Sequence, residues 1–93
     1  MSQIITKKVY SRYFDKILSG DKTYELRLAD WECSTGDILE LIDIDDVTRQ
    51  PTGRSLRKKV GTIVRTKDVD FWPQNDIEKY GFQIIGLLDE VKE

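Results

Sequence analysis

Five short stretches of this chain, at 4–9, 22–28, 38–44, 56–66 and 82–88, alternate apolar and polar residues. A strand repeats its side-chain direction every two residues, so each stretch can bury one face. Residues 12–19 break that rhythm. There Tyr13, Phe14, Ile17 and Leu18 have the spacing of one buried helical stripe, with Ser11 placed to cap its start and Gly20 to stop it. Asp76 is placed to cap a single helical turn to Tyr80, ended by Gly81. The predicted order is β-α-β-β-β-(α)-β, mostly antiparallel because the connections are short. Strands this short expose edges in a flat sheet, and closure removes them. The pattern predicts an α+β, mainly β fold: a curled five-stranded antiparallel or mixed β-barrel with one N-terminal helix and one short C-terminal helical turn. Residues 89–93 are expected to fray.

Ninety-three residues, 39% hydrophobic and 34% charged, suit a single domain over 1–93 with a modest core. No run approaches the roughly 18 apolar residues of a membrane span, and the N-terminus lacks a signal-peptide core. The one cysteine, Cys33, has no partner for an internal disulfide. A cytoplasmic location is therefore expected, with Cys33 as a small buried filler. Without histidine, Ser-His-Asp and Cys-His triads are excluded, and a structural zinc site is not expected. No cofactor or metal is predicted. Asp43, Asp45 and Asp46 could hold a cation loosely but lack the glycine-centred spacing of a calcium loop, and read as a solvated turn.

The net charge of −2 conceals three blocks. Residues 1–48 carry six basic and ten acidic side chains, and residues 68–93 carry two and seven. Between them, residues 49–67 carry seven basic residues and no acid. Phosphate contacts come from such local clusters, whatever the overall sum. Arg54 and the run Arg57-Lys58-Lys59 are the candidates; the alternative is a solvated hairpin with a charged edge that discourages sheet pairing.

Within the second stretch, Tyr24, Leu26 and Leu28 share one strand face and Glu25 and Arg27 the other, with Lys22 joining from the turn before. Two cations and a carboxylate on one face suit a nucleobase bearing a phosphate: lysine is a mobile cation, arginine a planar fork, and a carboxylate accepts from an exocyclic amine. They equally suit a structural ion-pair network. Tyr24 reads as core. Trp31 and Trp72 lie in loops, where they either stack on bases or plug the ends of the barrel. Asp37 reads as a turn cap, with a site role as the alternative.

These segments together resemble the ASCH superfamily, the activating-signal-cointegrator homology domains with a PUA-like barrel, and in particular its small prokaryotic and phage members of unknown function. Gly20-Asp21-Lys22-Thr23-Tyr24-Glu25-Leu26-Arg27 matches the G-x-K-x-x-E-x-R signature. Gly36-Asp37-Ile38-Leu39, Thr52-Gly53-Arg54 and Tyr80-Gly81-Phe82-Gln83-Ile84-Ile85 match further motifs in the same order. The resemblance implies an RNA- or nucleotide-binding cleft floored by the signature strand and roofed by the helix–strand loop. With it, Lys22, Glu25, Arg27 and Arg54 are the expected ligand residues, and Arg57, Lys58 and Lys59 stay the phosphate-contact candidates that their charge suggests. One relative removes the acetyl group from N4-acetylcytidine. In that hydrolase the motif lysine works with a threonine nucleophile; here Lys22 keeps its place and Glu25 stands where the threonine would. A small amidohydrolase using Lys22 and Glu25 is thus the alternative, with Glu25 acting as a base on water. A protein-interaction module is the third reading. RNA, a nucleotide or a nucleoside is the expected partner, a protein partner is possible, and no membrane is involved.

Overall fold

The computed structural model describes residues 2–85, 87–88 and 90–91. Its elements are β1 (Ile4–Tyr10), α1 (Ser11–Ser19), β2 (Ile38–Ile44), β3 (Pro51–Lys59), a 3₁₀ turn (Thr66–Asp68) and α2 (Gln74–Tyr80). The three strands form one open sheet in the order β1-β2-β3. β1 runs parallel to β2, Ile4 opposite Ile38, and β3 runs antiparallel, Leu56 opposite Leu41. This is a small α+β domain rather than the expected five-stranded barrel.

Each departure has a local cause. The β1–β2 connection contains a helix and spans 27 residues, which is long enough for a parallel crossover. Residues 22–28 alternate like a strand but make no ladder. Lys22 donates instead to the Tyr24 carbonyl, 2.8 Å away, and the Arg27 guanidinium takes the carbonyl of Lys8 on the outer edge of β1. Pairing of β3 ends at Lys59 because β2 starts at Ile38 and offers no further partner. Val60 N–H closes onto the Asp37 carbonyl at 2.7 Å, Gly36 N–H donates to the Val60 carbonyl at 2.9 Å, and the chain then leaves the sheet. Of the expected final strand 82–88, Phe82–Ile85 and Leu87–Leu88 have no strand pairing, and Gly86 lies outside the described residues. Of the tail expected to fray, 89, 92 and 93 also lie outside them.

The β2–β3 hairpin starts earlier than its turn residues suggest. Asp45 accepts from the N–H groups of Val47 and Thr48 at 2.9 Å, and Asp45 N–H donates to the Gln50 carbonyl at 3.0 Å, so pairing begins at Pro51. Proline fits there because the first residue of a strand can do without a donor. Between the pairs Ile42–Ser55 and Ile44–Pro51, β3 carries two extra residues, and Gly53 at φ +94° makes the irregularity possible.

Helix α1 lies over one sheet face, where Val9, Phe14, Ile17 and Leu41 form the core and Leu39 and Leu56 pack against it. Only Phe14 and Ile17 of the predicted stripe are buried; Tyr13 and Leu18 are 43% and 54% exposed. Gly20 ends the helix in the left-handed region, as its position implied. Ser11 does not act as the cap. It is the first helical residue, and the N–H of Arg12 is taken by the Asp46 carboxylate at 3.1 Å. Among the described residues no helix is long and apolar enough to cross a membrane.

Candidate functional site

Past Gly20 the chain folds back on α1, with Lys22 N–H donating to the Lys16 carbonyl at 2.9 Å. This reversal brings Lys22 and the segment behind it against β1. Lys22 Nζ lies 3.0 Å from Glu25 Oε1, and Arg27 Nε lies 2.9 Å from Glu25 Oε2. The three side chains are 13%, 19% and 31% exposed, so water screens them less than it does an ordinary surface pair. Lys22 Nζ also stands 4.7 Å from the Tyr24 ring centre and 5.8 Å from that of Tyr13, within cation–π range. Together these groups line a cleft of about 370 Å³, with Tyr10 at its rim. Ligand pockets typically measure ~300–1,000 Å³. The arrangement offers two fixed cations, an acceptor between them and tyrosine faces.

The trio Lys22, Glu25 and Arg27 therefore converges: Glu25 and Arg27 share a side, as their two-residue spacing implied, and Lys22 joins them from the turn before. The tyrosine rings that face this cleft were missed. Tyr24 is 41% exposed and faces the cleft instead of the core, and so does Tyr13. Their chemistry was the available signal, since a tyrosine presents an apolar ring and a polar tip to a half-wet site. Thr23 donates to the Leu87 carbonyl at 3.3 Å and does not line the cleft.

The basic candidates divide. Arg54 is held by Asp43 and Asp15, each at 2.8 Å, and its guanidinium stacks 4.8 Å from the Phe14 ring centre. Arg57 pairs with Glu40 at 2.9 Å. Lys58 and Lys59 are exposed and make no ion pair among the described residues. Trp31 lies under the Lys7 ammonium at 4.1 Å and borders a neighbouring cavity that Arg27 also lines. Trp72 packs edge-on to Phe71 at 5.0 Å and lies beside Phe82, outside the cleft.

Asp43 is fully buried. It accepts from Ser11 and Thr52 hydroxyls at 2.6 Å and from Arg54 Nε at 2.8 Å. Burial pushes its carboxyl up, but these donors outweigh that and hold it below the ordinary 3.8. Asp37 is held low by the N–H of Ser34 first and then by the backbone and side chain of Gln3. It ties the starts of β1 and β2 together, as well as capping its own turn. The acidic trio does not converge: Asp43 points inward, Asp45 closes the hairpin loop and Asp46 meets α1.

Residues 6–77 match the model of a family described as a domain of unknown function (DUF3850). No curated protein and no solved structure matches the chain.

Proposed function

The chain belongs to that family of unknown function, DUF3850, and we propose that it binds RNA or a nucleotide in the cleft between α1, β1 and residues 22–28, in the cytoplasm. The observation that carries this reading is the convergence of Lys22, Glu25 and Arg27 beside the rings of Tyr13 and Tyr24 in one cleft. A nucleobase offers a flat face to the tyrosines and polar edges to the charged trio. The resemblance of the signature segment to ASCH domains points the same way, but the open sheet lends that family's barrel no support.

A hydrolase has less behind it. Both Glu25 oxygens are already engaged by cations, which makes this carboxylate a bracket for Lys22 and Arg27 more than a base open to water. A titration of isotope-labelled protein with ribonucleosides, N4-acetylcytidine and a short single-stranded RNA tests both. Binding at the cleft gives amide shifts centred on residues 22–28 that fade with added salt when phosphates are engaged. Deacetylated product in the same tube would favour the hydrolase. If no compound moves those amides, the trio is an ion-pair brace and the binding reading falls.

A further inference from the structure

A second cavity, of about 290 Å³, shares Lys22, Tyr24 and Glu25 with the cleft and reaches β3, where Lys58 and Lys59 line it. Its lining also includes the apolar side chains of Ile17, Leu39 and Leu41. Lys58 stands directly opposite Leu39 in the β2–β3 register, and opposed residues of an antiparallel pair share a face. Leu39 packs against the core, so Lys58 lies on the helix-covered face, beside the cleft. Arg57, one residue earlier, lies on the other face with Glu40. Among the described residues Glu25 is the one carboxylate lining this second cavity, and Lys22 and Arg27 already neutralise it. The Lys58 ammonium, without an ion partner among the described residues, thus stands on the side of an apolar floor, next to a tyrosine-lined cleft, whereas Lys59, opposite Ile38, alternates to the other face.

Resting on the nucleotide-binding reading of that cleft, we propose that the ligand is phosphorylated and spans both cavities. Its base and sugar occupy the cleft, and its phosphate is held by Lys58. Lysine suits this place because its mobile point charge needs no fixed partner geometry. A free nucleotide and an RNA chain share this chemistry, and the test separates them.

Amide-shift titrations would compare the ribonucleosides, their 5′- and 3′-monophosphates, a short single-stranded oligoribonucleotide and inorganic phosphate. Monophosphates are expected to bind about tenfold tighter than nucleosides, as for one charge-assisted contact. The variant Lys58→Gln should erase that advantage and leave nucleoside affinity unchanged, whereas Lys58→Arg should keep it. Arg57→Gln, which removes a cation from the other face, should also keep it. An oligonucleotide that binds tighter still, through the same lysine, identifies a chain as the ligand; affinity equal to the monophosphates identifies a free nucleotide. Equal binding of nucleosides and monophosphates overturns the phosphate site and leaves the cleft reading standing. Inorganic phosphate binding as tightly as the monophosphates overturns it too. Silence of residues 22–28 toward every compound overturns the cleft reading itself.

Discussion

An aspartate buried in a strand has to be answered by donors, and Asp43 is answered by Ser11, Thr52 and Arg54. Those donors come from the start of α1 and from β3, so one carboxylate joins helix and hairpin. Asp43→Asn removes the charge and leaves Arg54 with Asp15 alone, and it should cost about 2–4 kcal/mol, read as a lower urea midpoint with an unchanged slope. Asp37, Asp43 and Asp45 all titrate below 3.8 when folded. A depressed folded value means stability that is complete above the unfolded value and is lost as the pH falls through the folded one. The urea midpoint should accordingly stay level from about pH 7 to 5 and fall below about pH 4. Asp37→Asn should make that fall shallower. At this scale Glu25 and Arg27 were legible together because alternate residues of an extended chain share a side, and Lys22 because it sits on the turn that leads into them. The tyrosines were not, because periodicity alone does not distinguish a core ring from one facing a cleft. Nor was Asp43, which follows Leu39 and Leu41 on an inward face with nothing in the strand itself to show that donors await it.

Among the elements, α1 and β2 could be read almost to the residue, since a stripe ended by glycine and a run of isoleucine and leucine leave few alternatives. Residues 22–28 carry the same alternation and form no strand. Alternation shows that two faces differ; it does not supply a partner for the backbone. Here side chains satisfy groups that a ladder would have used, including the Lys8 carbonyl. The parallel pairing was hidden for a related reason, because nothing local says which earlier strand β2 will join. Gly20 is the hinge between helix and site, at φ +90° with its N–H on the Ile17 carbonyl. Gly20→Ala should cost about 1–2 kcal/mol, since a Cβ disfavours the left-handed region. The same variant should shift the amides of residues 22–28 in a heteronuclear NMR spectrum, which a purely global loss of stability would not do.

Taken whole, the molecule exposes 7909 Å², against about 5,600 Å² for a compact chain of its mass. Its radius of gyration is 15.6 Å, against about 12 Å. Few side chains are left to hold it together, and Phe14 is the largest apolar one fully buried. Phe14→Ala should cost ~3–5 kcal/mol, a large part of the roughly 5–14 kcal/mol expected for a chain this long. Its methyl proton spectrum at 25 °C should show a substantial unfolded fraction. The parallel pairing of β1 with β2 also has a consequence in time. Ile4 meets Ile38 across 34 positions, whereas six residues, 45–50, join β2 to β3. Closing the longer loop costs about 1.5 kcal/mol more in chain entropy, so the hairpin should form early and β1 should dock late, brought in by α1. In stopped-flow experiments, Leu56→Ala should then slow refolding, while Val9→Ala should mainly hasten unfolding. A chain that assembles in this order completes its cleft last, because the cleft has β1 as one wall.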